Sequence, residues 1–179
     1  MRQTHNPRML RSAAALISAG MLAACSPTFN WREVRAQPTA LTAALPCKPD
    51  KDTRNVPMAG RSVSLQALAC DSGGATFAVL FAELGDAGAA GDALGQWKAA
   101  TLSNMRSTRA RESPFVPAGA LSLPQSVQVV AAGQRADGTP VESHAAYFAH
   151  GRHVFQAVIY AGRLKPEMAE PFFSGIRLQ

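Results

Sequence analysis

The chain has 179 residues, a length that suits one domain, and its hydrophobic content of 47% is ample for a core. Its formal charge is +6, from 18 lysines and arginines against 12 acidic residues. Arg2, Arg8 and Arg11 supply three of these positive charges, so the rest of the chain carries an excess of only three. That small excess does not indicate a nucleic-acid-binding protein.

The N-terminal residues have the pattern of a bacterial export signal. An apolar run from Ser12 to Met21 follows the three arginines, and it is too short to span a membrane, which takes ~20 apolar residues. The box Leu22-Ala23-Ala24-Cys25 comes next, and the whole segment resembles the signal of bacterial lipoproteins. The resemblance implies cleavage before Cys25 and acylation of its thiol and of the new amine. An ordinary cleaved signal with an incidental cysteine is the alternative.

The lipoprotein resemblance also implies a location. Ser26, rather than Asp, follows the cysteine, which in lipoprotein sorting suggests the outer membrane. We therefore expect a signal peptide at 1–24, a lipid-anchored tether at 25–39 and a single domain at 40–179 in the periplasm. Phe29 and Trp31 lie close to the anchor, where they either touch the membrane interface or pack onto the domain edge.

Two cysteines, Cys47 and Cys70, remain once Cys25 takes lipid. In an oxidising compartment such a pair usually forms a disulfide. The chain has no Cys-x-x-Cys, which argues against redox catalysis, and free thiols or a metal site are the remaining alternatives.

Strands are predicted along most of the domain. Alternating apolar and polar residues mark the second arm of a hairpin, where Val63 and Leu65 alternate with serines, and a second hairpin turns at 71–74. The predicted strands are Ala40 to Pro46, Arg54 to Met58, Ser62 to Cys70, Ala75 to Glu83, Val127 to Gln134, Val141 to Ala149, His153 to Ala161 and Ile176 to Leu178.

Helical spacing predicts one long helix near Asp92 to Thr108, with Asp92 as its N-cap. Its apolar stripe includes Leu94, Trp97 and Met105. We expect this stripe to face the sheet opposite Phe77, Val79, Phe155 and Ile159. A short closing helix is predicted from Pro166 to Phe173, and the prolines of 111–124 predict a loop.

These elements predict an α+β fold: an antiparallel sheet of about six strands covered by one long helix and a short C-terminal helix. Leu45-Pro46-Cys47-Lys48-Pro49 and Phe172-Phe173-Ser174-Gly175-Ile176 resemble the opening Phe-Pro-x-x-Pro and closing Phe-x-x-Ser-Phe of the PsbP-like family, although Leu45 replaces the usual aromatic. The resemblance implies a sandwich of this kind that acts as an accessory subunit and has no shared catalytic site.

Three features are candidates for a site. Arg106, Arg109 and Arg111 form a basic patch at and beyond the helix end, which meets anionic headgroups or a partner's carboxylates, or simply lies in solvent. His150 and His153, with His144 nearby, suggest a metal site, but a turn and an alternating strand favour surface histidines. Ser72-Gly73-Gly74 favours a hairpin turn over a phosphate loop, because no helix follows it.

The sequence contains no catalytic motif that we recognise. We therefore expect a protein that is not an enzyme, has no cofactor or metal, and acts as an accessory or docking subunit of a cell-envelope assembly. Its partners are the membrane, through its lipid, and an envelope protein. A small-ligand-binding lipoprotein and an unrecognised periplasmic hydrolase are the alternatives.

Overall fold

A computed structural model describes residues 28–179, so the predicted signal peptide and Cys25 lie outside the described residues. Between these limits the chain forms ten strands and two α-helices. The strands are β1 (Arg32–Arg35), β2 (Leu41–Leu45), β3 (Asp50–Met58), β4 (Arg61–Ser72), β5 (Ala75–Glu83), β6 (Arg109–Pro114), β7 (Val127–Gln134), β8 (Pro140–His150), β9 (His153–Ala161) and β10 (Arg177–Leu178). The helices are α1 (Ala90–Asn104) and α2 (Pro166–Ser174).

Seven strands form one antiparallel sheet in the order β3-β4-β5-β9-β8-β7-β6. Tight hairpins connect most neighbours, and glycines take the positive φ angles that two of these turns need, at Gly74 (φ 75°) and Gly151 (φ 56°). Phe77 of β5 lies opposite Ile159 of β9, so two long apolar strands sit at the centre of the sheet. Edge strands β3 and β6 are mostly polar and exposed.

A second sheet covers one face of the first. It has the order β1-β2-β10, and together with α2 it packs over β5 and β9, while α1 covers the other face. The predicted α+β fold, a single sheet of about six strands under one long helix, is therefore wrong. The strands number ten in two sheets, and both helices are short. The second sheet was not predicted, because the apolar sequence of β2 (LTAAL) indicates a strand but does not indicate which strands it pairs with.

The helix α1 packs on a different face from the one predicted. Leu94 is fully buried against the side of the sheet that carries Ala78 and Val158. The four residues expected beneath it lie on the opposite side, in the core under α2 and the small sheet: Phe77, Val79, Phe155 and Ile159. Because β5 and β9 are apolar on both faces, their alternation could not show which face the helix covers.

Two local predictions also fail. The segment predicted as a loop at 111–124 begins with β6, whose polar residues lack the apolar alternation that marks a strand. Asp92 lies in the first turn of α1 rather than at its N-cap, which is Ala89. Asp86 instead caps a short 3₁₀ turn just before the helix, where its carboxylate accepts a hydrogen bond of 2.9 Å from the Gly88 N–H.

The predicted tether is folded over its described part. β1 pairs with β2 from Arg32 to Arg35. Phe29 and Trp31 both pack on Phe77, with ring centroids 6.0 and 5.8 Å apart. Packing onto the domain is therefore the observed role of these two aromatic residues. The described residues 28–39 thus contact the domain that was predicted to begin at residue 40.

The disulfide prediction is confirmed. Cys47 and Cys70 are bonded, with Cα atoms 6.0 Å apart. Cys47 follows β2 and Cys70 lies in β4, so the bond joins the two sheets. Within residues 28–179, no helix is long and apolar enough to cross a membrane.

Candidate docking surface

The structure places the three arginines of the predicted patch just beyond the end of α1. Arg106 follows α1 in a left-handed backbone conformation (φ 49°), whereas Arg109 and Arg111 lie in β6. All three side chains are exposed. The chain reverses direction at Arg106 and enters a strand, so Arg109 and Arg111 extend from β6 and not from a continued helix. Because apolar residues continue at helical spacing past residue 104, the predicted helix ran to Thr108 and this reversal was not predicted.

Arg109 and Arg111 project from the same side of β6. Alternate residues of a strand point to opposite faces, and Glu112 points toward α1, where its Oε2 atom lies 2.8 Å from Lys98 Nζ. The two arginines therefore lie on the other side of the sheet, the side that carries α2. At that corner neither α2 nor the small sheet covers the strands, since all six residues of β6 are exposed.

An apolar residue lies next to the two arginines. Val130 of β7 is directly opposite Arg111 and remains 41% exposed, although valine usually points inward in a sheet of this size. Val130 is in turn opposite His144 of β8. We call Arg109, Arg111 and Val130 the corner surface. The sequence does not single out Val130, because the exposure of one residue in an apolar strand has no local signature.

His144 borders the corner surface on its buried side. Its ring centroid lies 4.2 Å from that of Phe173 in α2, and Nε2 lies 3.3 Å from Gln128 Oε1. Burial lowers the pKa of the imidazole below its usual range. A neutral His144 can donate to the Gln128 amide oxygen and stack on Phe173, so it supports the edge of the surface rather than adding a charge to it.

A shallow depression of about 450 Å³ adjoins the end of β6. Val116, which is 48% exposed, lies at this depression. The other lining residues are Glu112, Ser113, Pro114, Ser122, Leu123, Pro124, Ser126 and Val127. Apart from Glu112, its lining consists of prolines, hydroxyls and apolar side chains.

The histidine pair lies elsewhere, at the β8–β9 hairpin. His150 and His153 are directly opposite each other in the register, so they share one face of the sheet. Strand alternation alone predicted that the two histidines would point to opposite faces. The hairpin turn between them places them on the same face. His150 Nδ1 lies 2.7 Å from the carbonyl oxygen of Gly119. Across residues 28–179, no group of three or more His, Cys, Asp or Glu side chains is arranged to hold a metal ion.

Ser72-Gly73-Gly74 forms the β4–β5 turn and no helix follows it, as the sequence predicted. The Ser72 hydroxyl donates a hydrogen bond of 2.6 Å to the carbonyl oxygen of Thr28. This turn therefore holds the incoming N-terminal segment rather than a phosphate.

A polar network beneath α1 was not predicted. Gln156 of β9 is 3% exposed, and its Nε2 donates to Thr101 Oγ1 (3.1 Å) and to the Tyr147 hydroxyl (2.9 Å). Burial raises the pKa of Tyr147, and that of Tyr160 to about 12. Gln156, Thr101 and Tyr147 are buried and linked by hydrogen bonds, so they attach the helix to the sheet.

Comparisons of this chain with models of protein families, with curated proteins and with solved structures found no match. The resemblances to bacterial lipoproteins and to the PsbP-like family therefore stay predictions from short motifs. The geometry itself presents an open edge strand with two arginines, an exposed valine beside them and a shallow apolar depression at the end of the strand.

Proposed function

We propose that the protein is a non-catalytic envelope lipoprotein, anchored through Cys25, that docks onto another envelope protein with its corner surface. The observation that carries the docking role is Arg109 and Arg111 on an open edge strand beside the exposed Val130. The lipid anchor is supported by the box Leu22-Ala23-Ala24-Cys25.

The corner surface suits an extended partner segment with acidic side chains. An edge strand offers unpaired backbone groups that a partner strand can pair with. Arginine guanidinium groups bind carboxylates with two parallel hydrogen bonds, which gives both affinity and orientation. Val130 provides an apolar contact beside Arg111. Together these features favour strand addition by a partner whose carboxylates face Arg109 and Arg111.

The small-ligand alternative has less support. A ligand cleft between the sheet and α1 would need open space there, but Ala93 and Leu94 of α1 are fully buried. Gln156, the polar residue enclosed at this interface, already donates two hydrogen bonds within the protein.

Crosslinking of envelopes tests the docking role. The double variant Arg109→Glu and Arg111→Glu should lose a partner that the wild-type chain captures. A matched control, Lys51→Glu with Arg54→Glu, makes the same charge change on β3, the other edge of the sheet, and should keep that partner. A partner captured equally by both variants would exclude the corner surface, and a bound small molecule in native mass spectrometry would favour the ligand alternative.

Fractionation tests the anchor separately. Cys25→Ser should abolish lipidation and yield either soluble protein or an uncleaved precursor. Mature, acylated and membrane-bound Cys25→Ser protein would show that Cys25 is not the site of lipidation.

A further inference from the structure

The anchor and the folded domain are joined by very little chain. The Ser72 hydroxyl holds the Thr28 carbonyl, and the Asn30 N–H donates to the Pro46 carbonyl at 2.9 Å, so the chain is attached to the domain from Thr28 onward. Only three residue steps separate Thr28 from Cys25. A fully extended chain of that length spans at most about 11 Å. A lipid on Cys25 therefore keeps one particular end of the domain close to the membrane.

The sheet register shows which end this is. Ser72 lies opposite Ala75, and the row continues across the sheet through Ala161, Glu142 and Ala132 to Arg109. Five connections lie at this end, which we call the anchor end: 46–49, 73–74, 105–108, 135–139 and 162–165.

Charge is distributed unevenly between the two ends. The connections at the anchor end carry five basic side chains and a single acidic one, Asp137, whose carboxylate accepts two hydrogen bonds from Thr139. The five basic residues are all exposed: Lys48, Arg106, Arg135, Arg163 and Lys165. The connections at the opposite end, 36–40, 59–60, 84–89, 115–126, 151–152 and 175–176, carry only Asp86 and Arg152.

Acidic groups on the adjoining strands and helix are partly engaged within the protein. Asp71 accepts a hydrogen bond from Thr76 Oγ1 at 2.6 Å, and Glu142 accepts one from the Leu164 N–H at 2.7 Å. Glu167 lies 3.9 Å from Lys165 across exposed side chains, a weak pair. Asp50 begins β3 at the same end. The connections themselves, which extend beyond the strand ends, carry the five basic side chains against Asp137 alone.

We propose that Lys48, Arg106, Arg135, Arg163 and Lys165 form a basic rim that rests on anionic phospholipid headgroups and fixes the orientation of the domain on the membrane. This inference rests on the proposed lipid anchor. The anchor holds the β4–β5 turn within about 11 Å of the lipid, close to one Debye length, which is ~10 Å at moderate salt. The other connections of the row come equally close to the surface where the row lies along the membrane. Basic side chains that close to a membrane are attracted to its anionic lipids. The connection 115–126 then points away from the membrane.

Hydrogen exchange on the full, lipidated chain tests the rim. The protein is purified from a bacterial host, its acylation is checked by intact mass, and it is reconstituted into vesicles of phosphatidylcholine alone or mixed with phosphatidylglycerol. We expect phosphatidylglycerol to slow amide exchange several-fold in 105–108, 135–139 and 162–165 but not in 115–126. High salt should remove the difference, because it screens the attraction.

Charge variants complete the test. Arg106→Gln, Arg135→Gln and Arg163→Gln combined should remove the phosphatidylglycerol-dependent protection. Arg35→Gln, Arg54→Gln and Arg61→Gln combined, which lose the same charge elsewhere, should keep it, and equal melting temperatures confirm that both variants fold. Equal protection on the two kinds of vesicle, or protection at 115–126, overturns the rim and leaves the anchor intact. A purified protein without acyl chains overturns the anchor and the rim together.

Discussion

Trp31 packs edge-to-face on Phe77, with ring centroids 5.8 Å apart and planes at 87°. Phe77 belongs to the central strand β5 and is fully buried, and it also contacts Phe172 of α2 at 5.6 Å. A residue only six positions beyond the predicted lipid site is therefore part of the same aromatic core as the C-terminal helix. This contact and the pairing of β1 with β2 make the described part of the predicted tether a part of the folded domain.

Trp31→Ala should destabilise the domain, because it removes ring contacts with both Phe29 and Phe77. Since Trp31 is only partly buried, we expect a loss of about 2–3 kcal/mol in the free energy of unfolding, below the ~3–5 kcal/mol typical of fully buried aromatics. Chemical denaturation measures it, with the exposed Val116→Ala as a control that should be nearly neutral. A Trp31→Ala protein as stable as the wild type would show that the segment before β2 behaves as a tether after all.

Trp97→Ala should weaken the packing of α1 on the sheet. Its ring lies 6.4 Å from that of Tyr147, and the side chain is half-buried, so a loss of about 2–3 kcal/mol is expected. The neighbouring Lys98→Ala removes only a partly exposed ion pair with Glu112 and should cost less than about 1 kcal/mol. Thermal melts of the two variants side by side check this ranking, which a larger loss from Lys98→Ala would contradict.

The disulfide should contribute about 3 kcal/mol to stability, since it closes a loop of roughly 24 residues in the unfolded chain. Cys47 and Cys70 should resist alkylation until the native protein is reduced, and reduction should lower the urea midpoint. Native protein that reacts with two equivalents of alkylating agent would show that the bond is absent, and unchanged urea midpoints would show that it is not needed for stability.

His144 should make stability depend on pH. Burial lowers its pKa in the folded state, so the unfolded chain binds a proton more readily than the folded chain. Its contribution is therefore complete above the unfolded pKa, near 6.5, and is lost as the pH falls below that value toward the folded pKa. His144→Phe should retain more of its stability between about pH 7.5 and about pH 5.5 than the wild type does. Parallel pH curves for the two proteins would contradict this role.

Local patterns were enough to predict several elements. The bounds of β5, β7 and β9 agree with the predicted strands, because these segments are rich in apolar and β-branched residues between glycine-containing turns. With Cys25 assigned to the predicted lipid site, the pairing of Cys47 with Cys70 could be predicted without knowledge of the fold. The predicted lipid site itself is a short linear motif and needs no tertiary structure.

Only tertiary structure decided how these elements are arranged. The strands β1 and β6 are short and polar, so their own residues favour no strand, and hydrogen bonds to β2 and β7 hold them in place. Pairing across the sheet also put Val130 next to Arg111. A period of two residues shows that a strand has two faces, but what covers each face depends on contacts between residues far apart in the chain.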